Sequence, residues 1–270
     1  MAGKAYGLAA RLVGEVAKPR LVSVKPEDPI EYVRRVMRDY GLRVVAVAER
    51  GRLIGVISRS EILTVTGTKS EAKAKDLAVQ PKVALSPDYP LLKAVREMLS
   101  VDEWYAPIVE GGVFKGFLGL EDVIELALIE ERSLLESLKL EDVMSRNPIA
   151  VRIHDRVNSI WRLMREYRYA GLPVVDDRGV LVGIITQYDL LRKGYSRIHL
   201  EAARGHAKSP KVSNVMTRPC TYLYPWSTLL EASEIMVSRN IGRIPVVDSE
   251  KNKHLIGIVD REDAVRALLR

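Results

Sequence analysis

A fourfold internal repeat constrains this chain more than any other feature of its sequence. Four segments share one template, each opening with a proline beside a short apolar strand: KPRLVSV from Lys18, QPKVALS from Gln80, NPIAVRI from Asn147 and RPCTYLY from Arg218. An amphipathic helix follows in each, then two short apolar strands, then a glycine that leads into a second helix. The closing pieces read GVISRSEIL from Gly55, GFLGLEDVI from Gly116, GIITQYDLL from Gly183 and GIVDREDAV from Gly257. From Pro19 to Gly55, Pro81 to Gly116, Pro148 to Gly183 and Pro219 to Gly257 the interval is 36, 35, 35 and 38 residues. The longer fourth interval falls in DSEKNKH, a surface turn where extra residues cost little. Such self-similarity means one supersecondary unit used four times.

The third unit shows its periodicities most clearly. Val157, Ile160, Trp161, Met164 and Tyr167 fall at helical spacing on one face. Leu172-Pro-Val-Val and Val180-Leu-Val-Gly-Ile-Ile are strand-like runs joined by the turn signal Asp-Asp-Arg-Gly, and a helix starts near Thr186. The unit is β-α-β-β-α and of α/β class. At about 60 residues it cannot bury both faces of its sheet alone, so each copy should pair with a neighbour. The helix-rich stretch 123–143 joins units two and three. The expected division is therefore 1–133, with copies at about 18–70 and 76–130, and 134–270, with copies at about 140–197 and 212–270.

Composition excludes several classes. Apolar residues make 47% and charged residues 29%, enough to bury real cores and too apolar for a disordered chain. A single cysteine, Cys220, excludes a disulfide framework and points to a reducing cytoplasm, with Cys220 itself a small buried apolar residue. No uncharged apolar stretch is long enough to span a membrane, and the charged N-terminus does not read as a signal peptide. The scarcity of glutamine (Gln80 and Gln187) beside abundant arginine fits a thermophile. Residues 1–133 carry 20 Lys+Arg against 19 Asp+Glu, a balance of +1, while residues 134–270 carry 22 against 16, a balance of +6. An anionic partner is thus expected on the second half.

The passages LEDVMSRNPIAV, GLPVVDDRGVLVGIITQYDLL, VSNVMTRPCTYL and GRIPVVDSEKNKHLIGIVDREDAV resemble the CBS domain. The resemblance covers nearly the whole chain. It implies four CBS copies paired into two Bateman modules that form a flat disc, the layout of the gamma subunit of AMP-activated protein kinase and of archaeal multi-CBS proteins. It also implies binding of an adenosine ligand (AMP, ADP, ATP or S-adenosylmethionine) in clefts between paired copies, without metal. The family's site motif is a strand, then Thr or Ser, two residues, then Asp.

In the third copy that motif is Thr186 to Asp189. A helix N-terminus there presents unpaired N–H groups to a phosphate, and the Thr186 hydroxyl adds a donor. The Asp189 carboxylate can accept from both ribose hydroxyls, each charge-assisted bond contributing about 1.5–3 kcal/mol. Adenine is expected against Ile149, Ala150 and Val151 and the strand at Leu172 and Pro173. The same spacing also describes a plain capping box. Ser58, Gly119, Thr186 and Asp260 are all acceptable N-caps, but they differ as phosphate cradles. Ser58 keeps the hydroxyl with Glu61 in place of Asp, Gly119 loses the hydroxyl but keeps Asp122, and Asp260 places a negative charge where phosphate would sit. The expected order of binding is third copy, first, second, fourth. Arg243 either points into a cleft of the second half or is solvated, and Arg43 holds a comparable place in copy one.

Arg192 to Arg218 is the densest basic stretch, with Arg192, Lys193, Arg197, Arg204, Lys208, Lys211 and Arg218 against Glu201 alone. It reads either as a polyphosphate or RNA contact or as a solvated linker. His154, His199, His206 and His254 lack partners at metal-ligand spacing. Trp161 and Trp226 are expected in the core and Trp104 near a loop surface. No phosphate-binding loop, dinucleotide fingerprint, zinc-protease helix or nucleophile elbow is present, so no catalyst is expected. The expectation is a regulatory protein that senses an adenine nucleotide and acts on a separate partner chain, with room for a homodimer. The alternative is an RNA- or ribosome-binding factor of the hibernation type that uses the basic second half, with the repeats as scaffold.

Overall fold

The computed structural model describes residues 7–65, 71–195 and 209–270. Eleven strands are named in it: β1 (Ser23–Val24), β2 (Val44–Glu49), β3 (Arg52–Ser58), β4 (Tyr105–Glu110), β5 (Val113–Gly119), β6 (Ser145–Arg146), β7 (Val151–Arg152), β8 (Gly171–Val175), β9 (Leu181–Thr186), β10 (Arg243–Val247) and β11 (Leu255–Asp260). Each copy contributes one antiparallel hairpin: β2–β3, β4–β5, β8–β9 and β10–β11. The first two hairpins share a five-stranded sheet of order β1-β2-β3-β5-β4, and the other sheets run β7-β8-β9 and β10-β11-β6. The hairpin turns need left-handed backbone, which Gly51 (φ 80°), Gly112 (φ 84°) and Gly179 (φ 80°) supply.

Each copy's first helix follows the expected apolar stripe. Ile30–Asp39 buries Ile30, Val33, Val36 and Met37, and Val157–Glu166 buries Val157, Ile160, Trp161 and Met164. Tyr167, expected on that stripe, is instead the residue at which the helix ends, and it is 47% exposed. Trp226, expected in the core, is 57% exposed and stacks on Tyr224 with ring centroids 4.9 Å apart. It lies in the turn before helix Leu229–Ser238, where the inward position is taken by Leu223.

Pairing works by exchange of the segments that lead into each copy. The Val13 and Gly14 amides of copy one donate to Tyr89 and Pro87 of copy two, and the Ala74 amide leading into copy two donates to Asp28 of copy one. The second half repeats this, with Leu140 donating to Ser227 and Val212 to Asp155. The closing glycines exist for this crossing. A Cβ on Gly55 would stand 2.9 Å from the Val79 carbonyl, and one on Gly183 would stand 2.8 Å from the Thr217 carbonyl. On Gly116 it would meet the Arg20 amide at 3.3 Å, and on Gly257 it would strike Met144. A lead-in segment therefore lies flat on its partner's last strand only where no side chain intervenes.

The cores run across the halves. One cluster joins copies one and three through Ile57, Ile62, Met164, Leu190 and their neighbours. The other joins copies two and four through Leu120, Ile124, Leu229, Val265 and theirs. Helix Leu120–Glu130 packs on Leu229–Ser238 and Arg261–Leu268, and helix Gln187–Arg192 packs on Arg59–Thr64. Lead-in exchange within each half and helix packing between halves bring all four copies to one centre.

Candidate functional site

Ser58, Gly119, Thr186 and Asp260 each stand at the N-cap of a copy's second helix, with Glu61, Asp122, Asp189 and Asp263 three residues on. Every one of these acids accepts a hydrogen bond from its own N-cap amide, at 2.8, 2.8, 2.9 and 2.9 Å. Capping is thus common to all four copies. What distinguishes them is what else reaches the acid.

In copy three both other partners are hydroxyls. Thr186 Oγ1 donates to Asp189 Oδ2 at 2.6 Å, and Thr217 Oγ1, from the segment leading into copy four, donates to Oδ1 at 2.8 Å. In copy four Asp260 receives the Glu262 and Asp263 amides, and burial, then the Asp260 charge, pushes the Asp263 carboxyl up to about 7. In copy two Asp122 is gripped by Arg20, with Nη1 to Oδ2 at 2.6 Å and Nη2 to Oδ1 at 2.8 Å. In copy one no described side chain reaches Glu61 in a comparable way.

Copy one opens on a cavity of about 340 Å³ lined by all four copies. Ser58 and Arg59 come from copy one, Pro81 from the segment leading into copy two, Arg168 from copy three and Arg243 from copy four. Arg43, Arg59 and Arg243 line it without a salt bridge to any described carboxylate. Arg43 donates to the Asn240 carbonyl at 3.3 Å, Arg59 to Leu42 and Gly41 at 2.8 and 2.6 Å, and Arg243 to Gly171 at 2.7 Å. Burial lowers the pKa of all three, and for Arg59 burial together with the Arg43 charge brings it down to about 10. Asp260 and Glu262 share the lining, and Asp260 and Asp263 act on Arg243 and Glu121 on Arg43 through space. None pairs directly with these part-buried cations, so an anion placed among them would offset the cost of their burial. Arg243 lies 5.6 Å over the Trp104 ring, and Trp104 Nε1 donates to Glu262 Oε2 at 3.3 Å.

A second cavity of about 260 Å³ belongs to copy two and shares Arg43 and Tyr105 with the first. Apart from Arg43, its charges pair with acids of the same copy pair or the adjoining helix. Arg261, 1% exposed, donates to Glu121 Oε2 at 2.8 Å, to Tyr105 Oη at 3.0 Å and to Asn240 Oδ1 at 3.1 Å. Burial pushes the Tyr105 hydroxyl up to about 12, so it stays a donor, and it gives its proton to Glu121 at 2.9 Å.

The CBS domain profile matches residues 13–66, 140–195 and 212–270, more than half of the chain. The chain belongs to the CBS domain family. Copy two lies outside the matched stretches, yet it has the same hairpin and both CBS helices. Among relatives, protein MJ1404 of Methanocaldococcus jannaschii is 27% identical over 265 residues, covering 94% of this chain and 61% of its own length. Protein MJ1426 of the same organism is 32% identical over 159 residues, covering 50% of this chain and 93% of that protein. The crystal structure of M. jannaschii MJ1225, proposed there as an archaeal homologue of g-AMPK, superimposes with a TM-score of 0.83. It is 21% identical and covers 96% of this chain and 100% of that one, which supports the shared four-copy fold.

The residues singled out in the CBS copies fall as follows. Val151 lies on β7, paired with Val174 next to Leu172 and Pro173, and Ile149 is 37% exposed. The segment that crosses Gly183 and reaches Asp189 is Thr217 of copy four, because lead-ins are exchanged. Arg192, Lys211 and Arg218 are exposed, and Lys193 Nζ donates to the Val215 carbonyl at 3.0 Å. Arg197, Arg204, Lys208, His199 and His206 lie outside the described residues. Among the described residues no cluster of metal-ligating side chains occurs and no helix is long and apolar enough to cross a membrane. Cys220 is part-buried, and burial pushes its thiol up to about 11. Sequence reasoning missed Arg59, Arg261 and Arg20. The first two directly follow the N-caps Ser58 and Asp260, where copies two and three carry Leu120 and Gln187, and that difference was the available signal.

Proposed function

We propose that this CBS protein is a regulatory chain of two Bateman modules, 1–133 and 134–270, that binds an adenine nucleotide (AMP, ADP or ATP) and modulates a separate partner. The observation that carries the reading is the cavity at Ser58, where Arg43, Arg59 and Arg243 converge from copies one and four without carboxylate partners. A phosphate chain supplies the missing negative charge, and a sulfonium-bearing adenosine does not. Because residues of all four copies line the cavity, a ligand there favours one arrangement of the copies over others, and a partner surface can read that arrangement. Thr186 and Asp189 offer a second nucleoside position, since the hydroxyls now on Asp189 are the kind that a ribose diol replaces in kind.

Titration calorimetry with ATP and AMP tests this on wild type and Arg59→Ala. Loss of one charge-assisted contact should weaken the tighter nucleotide by roughly 10–100-fold, and equal binding by the two proteins defeats the reading. Asp189→Ala then reports on the copy-three position alone. A second reading, RNA binding by the second half, draws on exposed Arg192, Lys211 and Arg218 and on exposed Trp226, which stacks on half-buried Tyr224 and offers a surface on which bases can stack. Under that reading RNA affinity falls steeply with salt and is insensitive to Arg59→Ala.

A further inference from the structure

We infer that Arg20 closes the copy-two cleft to ribose and thereby decides which cleft of the first half takes a nucleoside. The inference rests on the nucleotide reading above, in which a motif acid receives the ribose diol.

Asp122 occupies the motif position of copy two, and its side chain is completely buried. Both of its oxygens are engaged, Oδ2 by the Gly119 amide at 2.8 Å and Arg20 Nη1 at 2.6 Å, and Oδ1 by Arg20 Nη2 at 2.8 Å. A diol needs the same lone pairs. Arg20 Nη2 also stands 3.2 Å from Glu121 Oε1, so the guanidinium is held by two carboxylates. Neutral hydroxyls that displaced it from Asp122 would exchange a bidentate charge-assisted pair for weaker bonds. The proximity of Asp122 holds Arg20 firmly in its charged form against the opposing effect of burial. Copy three differs in kind, because there the acid meets Thr186 and Thr217 hydroxyls, which a ribose can match one for one.

The N-cap of the same cleft also lacks room for a side chain. A Cβ on Gly119 would stand 2.7 Å from Glu121 Oε2 and 2.8 Å from the Tyr105 ring, so no Ser or Thr hydroxyl fits there. Arg20 is delivered by pinned backbone rather than by a loose surface arm. Its amide donates to the Lys18 carbonyl at 2.7 Å, and its chain lies against Gly116, whose φ of +131° and missing side chain allow the approach. The register makes the arrangement unique to this pairing. Ten residues before the first helical residues Ile30, Leu91, Val157 and Leu229 stand Arg20, Pro81, Asn147 and Pro219. Copy one alone therefore sends a cation to its partner's motif acid. Arg20 is a selectivity-determining residue, and the occluded ligand class is the adenine nucleotide.

The test counts sites on the full chain by equilibrium dialysis with ATP and AMP. Arg20→Ala should bind one more nucleotide equivalent per chain than wild type, and Asp122→Asn in that background should remove it again. Affinity at the Ser58 cleft should change far less than the count at the copy-two cleft, although the two cavities share Arg43 and Tyr105. A folded Arg20→Ala chain with the wild-type count overturns the inference. Arg20→Gln keeps a donor for Asp122 without the charge and should admit the extra nucleotide more weakly should Arg20→Ala fail to fold; an unchanged count there also overturns it. Wild-type crystals grown with saturating ATP give an independent answer: an intact Arg20–Asp122 pair supports the occlusion, and a ribose on Asp122 refutes it. Failure of the nucleotide reading itself looks different, because the wild-type count then falls to zero.

Discussion

The clefts of copies one and two are built from the same parts: a hairpin, a helix N-cap with an acid three residues on, and a lead-in segment borrowed from the other copy. One is open and lined by Arg43, Arg59 and Arg243, which form no salt bridge to a described carboxylate, while the other pairs its charges through Arg20–Asp122 and Arg261–Glu121. The motif is present in both, so it does not decide between them. The difference lies in what the exchanged segment carries past the closing glycine, Gln80-Pro81-Lys82 in one direction and Lys18-Pro19-Arg20 in the other. In a CBS pair each cleft is therefore specified largely by its partner's sequence.

The strongest way to break the contrast is to remove the buried network that fills the copy-two cleft. Arg261→Ala removes the shorter of Glu121's two ion pairs and leaves Arg20 at 3.2 Å and the Tyr105 hydroxyl as its partners. It should cost about 2–4 kcal/mol, lowering the melting temperature by roughly 5–10 °C; a calorimetric melt decides. Substituting the closing glycines sharpens the contrast. Gly116→Ala combines a left-handed backbone with a crowded Arg20 amide, whereas Gly55→Ala meets the Val79 carbonyl and the Ala78 methyl without backbone strain. Both should destabilise by about 1–3 kcal/mol, with Gly116→Ala the worse in urea unfolding.

The smallest effect extends the comparison to copy four, where the acids meet one another and Arg243 offsets their charge only through space. The Asp263 carboxyl, raised to about 7 by burial and by Asp260, binds its proton more tightly folded than unfolded, where a value of about 4 is ordinary. Stability from this group is complete below about pH 4 and is lost as pH rises towards about 7. Melts across that range should show the decline, and Asp263→Asn should flatten it.

Much of this was legible before any coordinates. The repeat, the hairpins, the helix faces of Val157, Ile160, Trp161 and Met164, and all four N-caps follow from local periodicity and turn chemistry, which neighbouring residues encode. Tyr167 and Trp226 were misplaced for a local reason too, since apolar bulk at helical or strand spacing does not reveal where a helix stops or which side of a turn faces water. The arginine-lined cavity was only half visible, through Arg43 and Arg243.

The order of residues alone determined that there would be four α/β units, that each must lean on another, and where each acid would cap its helix. Which acid stays available was settled only in three dimensions. Arg20 and Asp122 are separated by 102 positions, and no periodicity links them. Their meeting depends on chain exchange across a glycine, and the Coulomb energy that joins them becomes large only as burial removes the screening by water.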